Sequence, residues 1–153
     1  MIMNALFELI GTSAFVKESE VTNITNTEEY TVTFDKPIRF GLYKDTVKVF
    51  FHHKPTSNMA KDFINNVAFA KVQYGDGYYD DPIIAELHST RTEADEIKFL
   101  ETLDSINYDN GYGGQELFGN IVFKDGTWLE RGEYDGSEWW RLCKCPTEHE
   151  IFN

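Results

Sequence analysis

Basic residues are scarce in this chain: of 153 residues, 14 are Lys or Arg against 26 Asp or Glu, a net charge of −12 at pH 7. An anionic membrane surface would repel such a protein, and so would a nucleic acid, so direct binding to either is not expected. Long apolar runs are also missing. None approaches the roughly 20 residues that a bilayer-spanning helix needs. The first residues lack a basic n-region and carry Glu8 inside their apolar stretch, which argues against a signal peptide and for a cytoplasmic protein. Cysteine is limited to Cys143 and Cys145. On a strand these two would share a face about 6.6 Å apart, a poor separation for a disulfide. Followed by His149 they form Cys-x-Cys-x3-His, whose first gap is too short for most structural zinc sites and which lacks a fourth ligand. They read as reduced structural thiols, with no metal or cofactor expected.

Catalytic signatures are equally thin. There is no P-loop, G-x-G-x-x-G, H-E-x-x-H or G-x-S-x-G. His52, His53 and His88 lie far in sequence from either cysteine. An EF-hand register started at Asp104 fails, because its third, fifth and twelfth positions are Ile106, Tyr108 and Gln115. Carboxylates are so abundant that no one pair stands out as an acid–base couple. The chain is therefore not expected to be an enzyme.

What is present is a segregated charge. Residues 74–140 hold 16 acidic and 4 basic side chains, while residues 1–73 hold 8 of each and residues 141–153 hold 2 of each. The whole −12 falls in that middle segment. With 41% hydrophobic and 15% aromatic residues, the chain has the means to fold, unlike a disordered acidic tail. No repeat or low-complexity linker divides it, so it reads as a single domain, residues 1–153, with a charge-neutral β-rich half (1–73) and an acidic helix-plus-meander half (74–153).

The expected fold is α+β: an antiparallel β-sheet, one main amphipathic helix (about 93–106), a short second helix (about 57–65) and a C-terminal three-stranded meander. Residues 5–16 are read as a first strand, with a helix also open for residues 5–10. Residues 31–34, 38–40, 46–51, 67–72 and 83–88 follow as strands, with Pro55 stopping the third because it has no N–H to donate. In the second helix Met59, Phe63 and Ile64 face inward. The main helix opens on Thr90 to Glu93, which has capping-box spacing, and buries Phe99, Leu100, Leu103 and Ile106; Glu93, Glu101 and Asp104 fall on its wet side. The meander spans residues 117–123, 127–134 and 138–145, joined at Asp125-Gly126 and Asp135-Gly136. Asp-Gly between alternating runs is a strong signal for type I′ hairpins.

The acidic segment is interleaved with tyrosine and tryptophan. Such a surface suits a partner rich in Arg and Lys, since Arg pairs with carboxylates and stacks on rings. Carboxylates spaced about 5–7 Å along a helix or strand face also imitate the charges of a phosphate backbone. The candidate partner-binding residues are Asp76, Tyr78, Tyr79, Asp80, Asp81, Glu93, Asp95, Glu96, Glu101, Asp104, Tyr108, Asp109, Tyr112, Glu116, Glu130, Glu133, Asp135, Glu138 and Trp139.

The run from Phe123 through Trp140, with its paired Asp-Gly turns, resembles a tail found in small bacteriophage-encoded proteins. The acidic, aromatic composition is similar to that of anti-restriction and anti-CRISPR inhibitors that act as DNA mimics. That resemblance implies a non-enzymatic inhibitor occupying the basic DNA- or RNA-binding groove of a host defence nuclease or related enzyme. An immunity protein or antitoxin covering a basic nuclease toxin would use the same chemistry, and a small carboxylate- or Ca-dependent enzyme is the third reading. Exposed strand edges also leave a homodimer open.

Overall fold

The computed structural model describes residues 2–13, 15–17, 32–33, 46–48, 50–51, 57–75 and 82–152. The expected strand at 38–40, His52, His53, Pro55 and the loop residues 76–81 lie outside the described residues. The architecture is α+β, as the patterning predicts.

Of the strand read over residues 5–16 only residues 15 and 16 are extended; the helix left open for 5–10 is what forms. It is α1 (Ala5–Ser13), flanked by short strands β1 (Ile2–Asn4) and β2 (Phe15–Lys17). Ala5, Leu6, Leu9 and Ile10 are buried, a spacing of one helical turn that gives a single apolar stripe. Asn4 caps this helix: its Oδ1 accepts from the Phe7 N–H at 3.1 Å. Three short strands follow, β3 (Val32–Thr33), β4 (Thr46–Lys48) and β5 (Phe50–Phe51); β2 pairs with β4 and β3 with β5. Helix α2 (Ser57–Asn66) buries Phe63 and Ile64 and runs directly into strand β6 (Val67–Tyr74).

The centre of the molecule is a five-stranded antiparallel sheet. It comprises β6, β7 (Ile83–Leu87), β9 (Leu117–Phe123), β10 (Trp128–Tyr134) and β11 (Ser137–Cys143), in the order β11-β10-β9-β6-β7. Helix α3 (Glu93–Asp104) packs against β7, then β8 (Asn107–Asp109) pairs with β1, and α4 (Glu148–Phe152) ends the described chain. Alternation sorts the sheet into two faces. Ala70, Val72, Ala85, Leu87, Leu117, Ile121, Leu129 and Trp140 point inward and meet α1, α2, α3, Ile106 and Tyr108 in one core. Gly119 permits the β6–β9 contact: at φ +148°, a Cβ there would lie 2.3 Å from the Lys71 carbonyl oxygen.

Three local features differ from the sequence reading. The capping box of α3 is Thr92 with Asp95, not Thr90 with Glu93: Thr92 N donates to Asp95 Oδ2 at 2.8 Å, and Asp95 N donates to Thr92 Oγ1 at 3.3 Å. The helix ends at Asp104, because Ile106 leaves it and gives its carbonyl to Ala5 N at 2.9 Å. Of the two hairpins, only Asp135-Gly136 has positive φ at both residues, 48° and 83°. At the first, Gly126 N donates to Phe123 O and only Gly126 has positive φ, a type I turn closed by a left-handed glycine. The Asp125 carboxylate accepts from Thr127 N at 2.9 Å, an Asx turn that holds Asp125 in ordinary φ.

Arg91 locks two elements together. Its guanidinium donates to the carbonyls of Ile64, Val67 and Ala68 at 3.1, 2.6 and 2.8 Å. It thereby satisfies the end of α2 and the bulge in β6, where Val67 and Phe69 both pair with β9 and Ala68 is skipped.

Candidate partner-binding site

The acidic segment converges on one end of the sheet. Gly75 N donates to Glu116 O at 3.0 Å, and Glu138 N to Asn110 O at 2.9 Å. The turn at Asp135-Gly136 rests on the glycine-rich loop: a Cβ at Gly136 would lie 3.0 Å from Gly113 O. Around these contacts stand Asp109, Tyr112, Glu116, Glu133, Tyr134 and Asp135. Tyr112 is 82% exposed and Tyr134 78% exposed. No basic residue occurs between Lys98 and Lys124 or between Arg131 and Arg141. The one basic side chain of this end among the described residues, Arg131, is turned inward.

Arg131 is the hub of a buried ionic network. Its Nη1 donates to Glu8 Oε1 at 2.8 Å and its Nη2 to Glu138 Oε2 at 2.7 Å, with side-chain exposures of 3%, 8% and 1% for Arg131, Glu8 and Glu138. Nη2 also donates to the Tyr108 hydroxyl at 2.9 Å, and Nε to Leu117 O at 3.2 Å. The Tyr108 hydroxyl in turn donates to Glu8. Burial and then the Glu8 charge push the Tyr108 phenol far above its ordinary pKa, so it stays protonated and donates. Desolvation pulls the Arg131 pKa down, but the neighbouring Glu8 charge and the hydrogen bonds that Arg131 donates to both carboxylates outweigh it and the net shift is upward. The guanidinium stacks on the Trp140 ring at 4.8 Å, and Trp140 Nε1 has no hydrogen-bond partner among the described residues.

This network positions the acidic loop. Glu138 accepts from Glu116 N at 2.9 Å and Leu117 N at 3.1 Å, so a strand carboxylate ties down the last residues of the glycine-rich loop. An ionised acceptor makes such bonds stronger than a neutral one would. Two carboxylates against one cation is an arrangement that would suit catalysis if it opened to solvent. Here it is sealed in the core and braces the loop instead.

The expected partner-binding residues fall into four groups. Asp76, Tyr78, Tyr79, Asp80 and Asp81 lie outside the described residues. Tyr108 and Glu138 require correction: they are 2% and 3% exposed and belong to the network, so no partner surface can reach them. On α3, Glu93, Asp95 and Glu101 are exposed and Asp104 is half-buried, while Glu96 is paired with Arg91 at 3.1 Å. The Asp95 carboxyl is held below its ordinary pKa by hydrogen bonds from Thr92, first from its backbone. Asp109, Tyr112, Glu116, Glu133 and Asp135 form the end described above. Glu130 and Trp139 sit on the outer sheet face, Glu130 bonded to Arg141 and Trp139 lying over Gly132, where a Cβ would be 2.7 Å from the ring.

Sequence reasoning missed Glu8 and Arg131 as a unit. Its only trace was a glutamate inside an apolar stretch and a single arginine in an acidic run. Cys143 ends β11 half-buried, its thiol pushed up chiefly by burial, and Cys145 is exposed. Among the described residues no group of three or more His, Cys, Asp and Glu is placed to hold a metal ion, and no helix is long and apolar enough to cross a membrane. No family model, curated protein or solved structure matches the chain.

Proposed function

We propose that this protein is a non-enzymatic inhibitor whose acidic, aromatic end occupies the basic nucleic-acid-binding groove of a host defence nuclease or related enzyme. The supporting observation is the end itself: exposed Tyr112 and Tyr134 stand among carboxylates, and Arg131, the one basic side chain there among the described residues, is buried. Carboxylates steer and pair with Arg and Lys; the exposed rings stack on guanidinium planes. Some of these charges work against the fold. Glu101 and Asp104 lie in the last turn of α3 with no basic residue, where the helix dipole disfavours anions by about 0.3–1 kcal/mol each. Surface acids retained at a cost to stability fit a binding role.

The test uses immobilised protein and a bacterial lysate at low salt, with elution by duplex DNA or by a neutral polymer of equal length. Release of a nucleic-acid-binding enzyme by DNA alone, and its loss with the triple variant D109N/E133Q/D135N, is the expected result. Retention of nothing that DNA can displace defeats the reading.

A further inference from the structure

The face of the sheet opposite the core carries exposed apolar side chains, with α3 bordering it only at the β7 edge. Phe69 is 51% exposed, Ile84 44%, Trp139 40% and Phe118 39%, with Val122 and Trp128 half-buried beside them. With aromatic side chains offering about 150–250 Å² each, this apolar surface comes to about 400 Å², within the range of patches that are often functional. Between the apolar rows runs one polar row, set by strand register: Glu86 beside Lys71, Lys71 beside Asn120, Asn120 beside Glu130, Glu130 beside Arg141. Its charges alternate across the five strands and cancel. Lys71 is 3.4 Å from Glu86, and Arg141 Nε bonds Glu130 at 3.1 Å. A highly acidic chain thus carries one broad face with no net charge.

We propose that this face is a homodimer interface, with two copies packed sheet on sheet about a two-fold axis that runs along β9, parallel to the strands. That operation reverses strand order and keeps position along the strands. Glu86 then meets Arg141 of the second copy, Lys71 meets Glu130 of the second copy, and Asn120 meets its own symmetry mate. The apolar rows match as well. Phe118 meets Phe118 of the second copy on the axis, and Ile84 meets Trp139 of the second copy. An axis perpendicular to the strands would instead set Glu86 on Glu86, Lys71 on Lys71 and Arg141 on Arg141. The charge pattern therefore selects both the occupant and the orientation. Aligned sheets pack about 10 Å apart, a gap that side chains of this length span. With the polar row included, the face reaches roughly the 800 Å² per partner of a standard interface. A self-complementary patch of this kind is what a two-fold contact requires.

The inference is independent of the acidic end and its partner. Sedimentation equilibrium of the full chain at about 100 µM should show a dimer. F118E, which places two carboxylates on the axis at an already exposed position, should make it monomeric while leaving the circular dichroism spectrum and the DNA-displaceable capture unchanged. K71E and E130K should each weaken the dimer at least about tenfold. An equimolar mixture of the two variants should form a heterodimer, because Glu at 71 then faces Lys at 130 of the other chain. Mixing leaves contacts within each chain untouched, so the rescue reads the proposed pairing alone. A monomeric wild type, a dimer that survives F118E, or a mixture no tighter than its components would each overturn the proposal.

Discussion

Carboxylates have two opposite fates at the acidic end of this molecule. Inside, Glu8 and Glu138 share one guanidinium, one phenol and two backbone N–H groups, and are almost fully buried. Outside, within a few residues along the same strands and turns, Glu133 and Asp135 are exposed and have no ion pair among the described residues. A buried carboxylate must be paired because an isolated charge in low dielectric costs several kcal/mol. A surface carboxylate is solvated and needs no partner within the chain. The same side chain is thus structural in one place and a binding element a short distance away. Net charge alone does not distinguish them.

The largest effect is expected inside the core. Arg131→Met leaves two carboxylates buried without their cation and frees the loop that Glu138 holds; we expect a loss of about 3–5 kcal/mol in urea unfolding. The network would prove dispensable if the variant unfolded with the wild type. Next is Gly119→Ala, which removes no charge. A positive φ and a 2.3 Å clash with the Lys71 carbonyl should cost about 2–4 kcal/mol in the same measurement. It calibrates the charge effect against a purely steric one. On the surface, D109N/E133Q/D135N should change stability by no more than about 0.5 kcal/mol, while lowering the salt dependence of partner binding. A large stability loss in that variant would mean that the surface acids are structural after all.

The smallest effect is a pH dependence. Hydrogen bonding from Lys144, then from Thr147, lowers the Glu150 carboxyl to about 2. Its folded-state pKa is depressed, so its contribution is present above the unfolded value and is lost as pH falls toward 2. The group is exposed and the pair is screened, so the energetic consequence is slight. A carboxyl-detected NMR titration should place the Glu150 midpoint well below that of an ordinary glutamate, and Lys144→Ala should raise it. On the outer face, the Glu130 carboxyl is lowered chiefly by Arg141 and should respond to Arg141→Ala in the same direction.

Much of the fold was legible because its signals are local. The meander announced itself through two Asp-Gly turns between alternating runs, and α3 through Phe99, Leu103 and an acidic first turn. Helix α2 was visible in Phe63 and Ile64. Helix α1 was left between a strand over residues 5–16 and a helix over 5–10, although Ala5, Leu6, Leu9 and Ile10 repeat at one turn and the helix is what forms; short apolar segments suit either period until their partners are known. The shift of the capping box from Thr90 to Thr92 is of the same kind, since both threonines stand three residues before an acid. Tyr108 and Glu138 were assigned to the surface because they are polar residues in an acidic run. Their burial depends on Arg131 and Glu8, the latter a hundred or more residues away in sequence.

By itself the sequence determined the local elements and the distribution of charge along the chain, since turn chemistry and side-chain periodicity act over a few residues. The tertiary structure decided which of those charges face water. Inserting β6 between β9 and β7 brings Lys71 and Glu86 into line with Glu130 and Arg141, and folding α1 onto the sheet carries Glu8 to Arg131. Both are long-range pairings, governed by which apolar faces can be buried together, and no short stretch of sequence encodes them.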